Sequence, residues 1–202
     1  MDVCILIPTL NEERTIGKLV REFRGLGFSE ILVIDGKSTD KTVEIAEREG
    51  ARVVIQKGRG KGDAVQQAFG IIQNEVVVMI DGDGTYLPSD VTKLLKAIEE
   101  GADHVIGNRF GDYRAGSFRK LNRIGNKMLN RIFSFGYGIQ LQDILSGYRA
   151  LKMDEAKKLE LNKTGFEIEA EMTIESVKKG LKIVEVPVTY LPREGKTKLN
   201  PI

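Results

Sequence analysis

The sequence predicts one α/β domain built on a mostly parallel sheet with helices on both faces. Three observations lead to this prediction. Short apolar segments alternate with helical patterns as far as residue 106. The segment 76–80 is continuously apolar and rich in β-branched residues, which is typical of a central strand buried on both faces. No linker or internal repeat divides the 202 residues, and a chain of this length has room for one hydrophobic core.

The first half of the chain has the pattern of five strands joined by helices. Asn11 and Asp40 are natural N-caps for the first two helices, and Pro88 fits the first turn of the fourth. Connections of this kind imply parallel strands with right-handed crossovers. The predicted strands are residues 3–7, 31–34, 52–55, 76–80 and 103–106.

The alternation is less regular after residue 107. The spacing of apolar residues predicts helices over 119–135 and 166–180 and strands over 148–152 and 182–190. Pro187 lies in the last of these strands. Because proline cannot donate to a strand ladder, we expect that strand at an edge of the sheet.

Composition excludes several classes of function. A formal net charge of +2 is too small to indicate nucleic-acid binding. The single Cys4 lies in an apolar segment, so we expect it to pack as a small hydrophobic residue in a reducing compartment. The single His104 is expected in the core with its polar atoms hydrogen-bonded. With one cysteine and one histidine, the chain excludes structural zinc and a histidine-based triad. Without a signal peptide or a span-length apolar run, we expect a cytoplasmic protein that is not integral to the membrane.

Two aspartates separated by one glycine follow the predicted central strand. Residues two apart in an extended chain point to the same side, so the carboxylates of Asp81 and Asp83 would face one space. Open α/β sheets bind ligands at the carboxyl ends of their strands, and paired carboxylates suit a divalent cation shared with phosphate oxygens. An ordinary Asp-Gly turn through Gly82 explains the same residues.

Polar residues also follow the first two predicted strands. Asn11 and Glu12 come after the first strand, and Asp35 ends the second. Because the carboxyl ends of parallel strands meet at one edge, Asp35 and the turn over 8–12 could bind a base and ribose while a metal at the two later aspartates holds a diphosphate. Each residue has a local alternative, as a helix cap for Asn11, a helix-dipole partner for Glu12 and a turn former for Asp35.

The glycine-rich segment 58–62 resembles a phosphate loop only superficially. Lys61 is followed by glycine rather than by serine or threonine, and no third glycine completes a dinucleotide fingerprint. These departures exclude a P-loop NTPase and a nicotinamide enzyme. Lys61 is then either a nucleotide contact or a solvated loop lysine.

The segment 109–131 is strongly basic and contains one acid, Asp112. Four of its basic residues recur every four positions and would form a stripe on one helix face. A solvated face is one interpretation, but an anionic membrane surface or a phosphorylated lipid would use the imbalance of charge. The basic residues are Arg109, Arg114, Arg119, Lys120, Arg123, Lys127 and Arg131.

A last group of polar residues leads into the strand predicted at 148–152. Arg149 could bind a diphosphate bidentately. It could instead form a structural salt bridge with Asp143, and both interpretations are compatible.

Five motifs in a fixed order then become recognisable together, and they are residues 8–12, 35–40, 81–83, 107–109 and 143–149. The chain resembles the family 2 glycosyltransferases of the GT-A fold over essentially all of its length, in particular the dolichyl-phosphate hexosyltransferases. It is similar to the archaeal members that load the first sugar of S-layer N-glycans. The resemblance implies a donor half over 1–110 and an acceptor half over 111–202.

The resemblance also implies roles for individual residues. Asp81 and Asp83 would hold Mg²⁺ or Mn²⁺, and Asp83, Asp143 and Arg149 would be the catalytic residues. The implied donor-binding residues are Pro8, Thr9, Leu10, Asn11, Glu12, Asp35, Lys61, Asp81 and Gly82. The implied acceptor-phosphate residues are Arg109, Arg119, Arg123, Asn126, Ser146 and Lys198.

The activity that the resemblance implies is the metal-dependent, inverting transfer of a hexose or N-acetylhexosamine from a nucleoside-diphosphate sugar to dolichyl phosphate for protein N-glycosylation. A UDP-sugar is the preferred donor and GDP-mannose the next. The protein would act as a peripheral protein at the cytosolic face of the cell membrane. A lipid phosphate is mostly dianionic near neutrality, because its second pKa is about 6, and needs no general base.

Two other functions remain open at this point. One is transfer to a sugar or protein hydroxyl with Asp143 as the base, and the other is a nucleotide-sugar-binding module without catalysis. The sequence also departs from its family. Thr85 stands where polyprenyl-phosphate mannosyltransferases commonly have glutamine, Lys37 replaces a frequent glycine, and the sequence ends in a basic stretch where many relatives continue toward membrane helices.

Overall fold

The computed structural model describes residues 1–113 and 140–193, with only the backbone of 111–113. Its strands form one seven-stranded sheet in the order β3-β2-β1-β4-β6-β5-β7. All neighbouring strands are parallel except that β6 runs antiparallel to both β4 and β5. The strands are β1 (Val3–Thr9), β2 (Glu30–Asp35), β3 (Arg52–Ile55), β4 (Val76–Met79), β5 (His104–Tyr113), β6 (Arg149–Lys152) and β7 (Ile183–Tyr190). The predicted mostly parallel α/β sheet is confirmed.

Helices lie on both faces of this sheet. They are α1 (Ile16–Gly25), α2 (Thr42–Arg48), α3 (Lys61–Ile71), α4 (Val91–Glu99), α5 (Met153–Ala156) and α6 (Ile168–Lys178). Pro88 opens a 3-10 turn over Pro88–Asp90 that continues into α4, as its position in the sequence indicated. The predicted strand at 182–190 is the edge strand β7, in agreement with Pro187. The helix predicted at 119–135 lies outside the described residues.

Alternate residues of the central strands supply the two halves of the core. Ile5 and Ile7 of β1 pack on the face that is covered by α1 and α4, whereas Cys4 and Leu6 pack on the face that is covered by α3 and α6. Every residue of β4 is buried. A strand with helices above and below must be apolar on both sides, which explains the continuous apolar run in this segment.

The cap expected at Asn11 is wrong. Helix α1 begins at Ile16 with Thr15 at its N-cap position, because Asn11 adopts a left-handed conformation with φ of 51° in the preceding turn. Its side-chain oxygen accepts a hydrogen bond from the backbone N–H of Thr39 at 2.8 Å. Asp40 does act at the start of α2, since its carboxylate accepts from the backbone N–H of Thr42 at 3.0 Å.

His104 is a satisfied core residue, as expected. Its Nδ1 lies 2.8 Å from the hydroxyl of Ser176, and its Nε2 accepts from Nη1 of Arg149 at 3.1 Å. Because Arg149 has no acceptor atom, its N–H must donate, which leaves the ring proton on Nδ1. Burial and the neighbouring guanidinium hold the pKa of His104 well below its usual value, so the ring is neutral.

Candidate active site

The carboxyl ends of β1, β2 and β4 form one edge of the site. Strand β1 pairs with β2 on one side and with β4 on the other, both in parallel. Thr9 is level with Asp35 in this register, and Asp81 follows two residues after the end of β4. The predicted convergence of the strand-end residues is therefore what the sheet produces.

The turn after β1 and the loop after β2 are joined by hydrogen bonds. Asp35 is fully buried, and its carboxylate accepts from the backbone N–H of Ser38 at 2.7 Å and from the hydroxyl of Thr9 at 3.4 Å. The backbone N–H of Asn11 donates to the Ser38 hydroxyl at 2.8 Å, and that of Glu12 donates to the Thr42 hydroxyl at 2.7 Å. Asp35 thus forms a turn, as the local alternative for this residue predicted. It also holds together the two segments beside which a donor base and ribose would lie.

Lys61 lies inside the site and is not a solvated loop residue. Its ammonium forms ion pairs with Asp81 and with Glu169, the second residue of α6. Only 8% of the Lys61 side chain is exposed, against 29% for Asp81 and 5% for Glu169. Burial would lower the pKa of Lys61, but the carboxylates of Asp81 and Glu169 outweigh it and raise that pKa. The lysine is therefore charged at neutral pH.

Asp83 is held by a second set of contacts. Its Oδ1 accepts from the hydroxyl of Thr85 at 2.6 Å and from the Thr85 backbone N–H at 3.1 Å. Its Oδ2 lies 3.3 Å from Nη1 of Arg193, whose Nη2 donates to Glu12 at 3.1 Å. Burial and the negative charge of Asp81 raise the pKa of Asp83. Thr85 thus supports the carboxylate of Asp83.

The two aspartates fit a divalent cation by the chemistry of their donor atoms. Asp81 and Asp83 offer hard carboxylate oxygens, and burial together with the negative charge of Asp81 raises the pKa of Asp83. In the described parts of the chain, no group of three or more His, Cys, Asp or Glu residues could hold a metal. Asp81 and Asp83 would supply two carboxylate ligands, and phosphate oxygens and water are further ligands suited to Mg²⁺ or Mn²⁺.

Glycine is required where the loop before β6 meets Asp81. A Cβ at Gly147 would lie 2.3 Å from a carboxylate oxygen of Asp81, and a Cβ at Gly82 would lie 2.9 Å from Cγ2 of Thr9. Both distances are far shorter than normal van der Waals contacts. The backbone around Gly147 therefore closes directly on the aspartate pair.

Arg109 and Asp143 form the opposite side of the site. Nε and Nη2 of Arg109 each donate to a different oxygen of Asp143 at 2.7 Å. The guanidinium carbon also lies 5.3 Å from the ring centre of Tyr190. Asp143 is fully buried, and its backbone N–H donates to Glu185 at 2.8 Å. Both oxygens of the Asp143 carboxylate accept from Arg109, so this carboxylate orients the arginine.

Arg149 and Ser146 are interior residues, in contrast to the roles expected for them. The guanidinium of Arg149 donates to the carbonyl of Ser146 at 2.7 Å, to the carbonyl of Ile144 at 2.5 Å and to the hydroxyl of Thr173 at 2.8 Å. Burial lowers its pKa to about 10. The Ser146 hydroxyl pairs with Tyr86 at 3.2 Å. Arg149 lies on β6 between β4 and β5, and the side chains of both residues are fully buried.

The basic helix and the predicted acceptor-phosphate residues Arg119, Arg123, Asn126 and Lys198 lie outside the described residues.

Two residues of the site were missed in the sequence. Glu169 belongs to α6, where it lies on the same buried face as Met172 and Thr173. An acid on the apolar face of a helix was the available signal, because a buried carboxylate requires a partner. Arg193 offered no local signal, since its partner Glu12 is 181 positions away in the chain.

A sheet of this order, with paired aspartates after its central strand, is the architecture of the GT-A glycosyltransferases. The chain belongs to the glycosyl transferase family 2, whose sequence model matches residues 4–159. The predicted class of enzyme, a glycosyltransferase, is confirmed by this membership.

Relatives and solved structures support the same assignment. The glycosyltransferase AglJ of Haloferax volcanii is 50% identical over 99% of this chain and 67% of its own length. The dolichyl-phosphate hexose transferase of the same organism is 36% identical over 99% and 87%, and the dolichol-phosphate mannosyltransferase of Pyrococcus furiosus is 32% identical over 99% and 60%. Glucosyl-3-phosphoglycerate synthase of Mycobacterium tuberculosis, solved with Mn²⁺, UDP-glucose and phosphoglyceric acid, matches with a TM-score of 0.79 at 25% identity, over 98% of this chain and 73% of that one.

One structural observation concerns the membrane. Within residues 1–113 and 140–193, no helix combines the length and the apolar character that crossing a bilayer requires.

Proposed function

We propose that this protein transfers a hexose or N-acetylhexosamine from a nucleoside-diphosphate sugar to dolichyl phosphate, with inversion at the anomeric carbon, for protein N-glycosylation. The observation that supports this most is the aspartate pair after β4. Burial and Asp81 raise the pKa of Asp83, so the protein keeps two carboxylates together at an energetic disadvantage. A divalent cation bound to a diphosphate would relieve that disadvantage. The relative named as a dolichyl-phosphate hexose transferase supports the acceptor.

The donor is proposed to lie along the ends of β1, β2 and β4. The base and ribose would contact Asp35 and residues 8–12, and the diphosphate would lie beside Asp81, Asp83 and Lys61. A UDP-sugar is the first candidate, because the similar solved structure holds UDP-glucose. GDP-mannose is the second candidate, from the relative named as a mannosyltransferase.

The residues of the chain would offset the charge of the reacting groups and position the substrates. Mg²⁺ or Mn²⁺ bound at the aspartate pair would offset the negative charge that develops on the leaving diphosphate. Arg109, oriented by Asp143, would hold the acceptor phosphate, with Arg119, Arg123, Asn126 and Lys198 as further proposed contacts. A phosphate with a second pKa of about 6 is largely dianionic at pH 7 and attacks without a base. This agrees with a site in which Asp143 is engaged with Arg109.

The acceptor would be reached from the membrane surface. We propose that the protein is peripheral to the cytosolic face of the cell membrane, where the basic segment 109–131 would meet anionic headgroups. The half over 1–110 would bind the donor and the half over 111–202 the acceptor.

The test is a transfer assay with separate donors and acceptors. The purified protein is incubated with dolichyl phosphate in detergent and with labelled UDP-glucose, UDP-N-acetylglucosamine or GDP-mannose, with Mg²⁺ or Mn²⁺. We expect one donor to label the extracted lipid, and we expect EDTA or Asp83→Asn to abolish the labelling. Labelling of soluble sugars but not of lipid phosphate would contradict the proposed acceptor. Donor binding without transfer to any acceptor would instead indicate a binding module.

A further inference from the structure

Lys61 is shared between the partly exposed carboxylate of Asp81 and the buried carboxylate of Glu169, in a site that contains the proposed metal ligands. Its ammonium contacts Oδ1 of Asp81 and Oε1 of Glu169. The second oxygen of Glu169, Oε2, is buried and has no hydrogen-bond partner among the described residues. A buried carboxylate oxygen without a donor bears the full cost of its desolvation. The site retains Glu169 despite this penalty.

The backbone fixes the position of this lysine. Gly60 has φ of 90° and ends the loop before α3. A Cβ at Gly60 would lie 2.3 Å from the carbonyl oxygen of Thr164, and one at Gly62 would lie 2.0 Å from that of Lys163. The backbone N–H of Gly62 donates to Thr164 at 2.8 Å. The start of α3 is thus packed backbone to backbone on the segment before α6, which keeps Lys61 and Glu169 adjacent.

The charges of the cluster explain what Glu169 adds. Asp81 and Lys61 alone would form a neutral pair, and a neutralised aspartate attracts a divalent cation weakly. With Glu169 present, one ammonium contacts two carboxylates, and burial raises the pKa of Glu169 while Lys61 opposes that rise. Asp81 also keeps 29% of its side chain exposed, whereas Glu169 keeps 5%. Of the two carboxylates that share Lys61, Asp81 is therefore the one that a cation can reach.

We propose that Glu169 is a positioning residue for the metal site, which acts through Lys61 by sharing its ammonium and so leaves Asp81 able to bind a divalent cation. The inference rests on the proposed function in one respect, namely that a divalent cation binds at Asp81 and Asp83. It assigns no contact between Glu169 and the cation. Lys61 is the link between them, and its removal should abolish the influence of Glu169.

The experiment measures Mn²⁺ binding directly and needs no turnover. The dissociation constant of Mn²⁺ is determined by electron paramagnetic resonance, with and without UDP, for the wild type, Glu169→Gln, Lys61→Met and the double variant. Glu167→Gln is the matched control, because Glu167 is an exposed residue just before the same helix. Circular dichroism and the thermal midpoint confirm folding of each variant.

We expect Glu169→Gln to weaken Mn²⁺ binding about tenfold, as is typical for a residue that supports a metal ligand. Lys61→Met should bind Mn²⁺ at least as tightly as the wild type, because a fixed positive charge beside Asp81 is removed. In the Lys61→Met background, Glu169→Gln should change the affinity less than about twofold, which is the coupling that a double-mutant cycle detects. Glu167→Gln should match the wild type.

Two results would overturn the inference. Mn²⁺ affinity in Glu169→Gln equal to that of Glu167→Gln would show that Glu169 is structural only. A tenfold loss that persists in the Lys61→Met background would show that Glu169 acts on the cation without Lys61. Neither result bears on the lipid acceptor, which the transfer assay tests. If the wild type showed no saturable Mn²⁺ binding, both this inference and the metal dependence of the proposed function would be refuted.

Discussion

Arg109 and Asp143 form a two-pronged ion pair in which both carboxylate oxygens accept from the guanidinium at 2.7 Å. The backbone N–H of Arg109 also donates to Asp143, at 3.0 Å. Arg109 follows the part of β5 that pairs with β6, and Asp143 belongs to the loop before β6, so the contact ties this loop to the sheet. The arginine that we propose for the acceptor phosphate is thus held in one orientation before any substrate binds.

Asp143→Asn should therefore impair acceptor binding more than the chemical step. Asparagine keeps the shape of the side chain but loses the charge that orients Arg109, and a lost charge-assisted hydrogen bond weakens binding about tenfold. We expect the KM for dolichyl phosphate to rise by that factor while kcat falls less than about threefold. Steady-state kinetics at a saturating donor concentration provide the measurement.

Arg109→Lys is the matched control for this prediction, because lysine keeps the charge but cannot form the forked pair. The two variants should show the same pattern in KM. A fall in kcat of about 100-fold or more in Asp143→Asn, with KM unchanged, would identify Asp143 as a general base and contradict the positioning role.

Arg149→Met should destabilise the fold. The guanidinium of Arg149 donates to the carbonyls of Ser146 and Ile144, and methionine would remove both of these buried hydrogen bonds. We expect the free energy of unfolding to fall by about 3 kcal/mol, measured in urea. Arg149→Lys should also be destabilised, because an ammonium cannot reach both carbonyls. Unchanged stability together with a raised KM for the donor would restore the predicted contact of Arg149 with the diphosphate.

The sequence was sufficient for the strands and for the strand-end aspartates. Strand 76–80 could be recognised because every one of its residues must be apolar between two layers of helices. Asp81 and Asp83 could be located because they follow that strand directly. Both inferences depend only on neighbours in the sequence and on the rule that ligands bind at strand ends.

The partners of the charged residues could not be predicted, because they depend on the order of strands. Lys61 is 108 positions from Glu169 in the chain, so its burial could not be inferred from its glycine-rich surroundings. Arg149 was expected to contact a diphosphate or Asp143, and the insertion of β6 between β4 and β5 places its side chain in the core. The order of strands in the sheet cannot be derived from the local pattern of the sequence.

Thr85→Val should weaken metal binding. The Thr85 hydroxyl donates to Oδ1 of Asp83 at 2.6 Å and is buried. Valine has nearly the same shape but cannot donate, so Asp83 loses a bond that fixes its orientation. We expect about a tenfold loss of Mn²⁺ affinity, by titration calorimetry in the presence of UDP. Thr85→Ser, which retains the hydroxyl, should bind Mn²⁺ as the wild type does, and equal affinity in Thr85→Val would remove this role.

Asp83→Asn should raise stability at neutral pH while it abolishes metal-dependent transfer. Burial and Asp81 raise the pKa of Asp83 above its usual value of 3.8. A carboxyl whose pKa is higher in the folded state than in the unfolded state opposes folding when it is ionised. The penalty is therefore complete above the raised pKa, shrinks as the pH falls through it, and vanishes below about 3.8, where Asp83 is protonated in both states.

Urea unfolding of the metal-free protein between pH 7 and pH 4 measures this difference. We expect the free energy of unfolding of Asp83→Asn to exceed that of the wild type at pH 7, and the two values to converge toward pH 4. Glu12→Gln is the control, since it also removes an ion pair with Arg193 but no charge beside Asp81. Mn²⁺ should raise the thermal midpoint of the wild type and not of Asp83→Asn. Equal stability of Asp83→Asn and the wild type at pH 7 would show that the contacts from Thr85 and Arg193 already compensate for burial and for the repulsion between Asp81 and Asp83. The aspartate pair would then have no unfavourable charge for a cation to relieve.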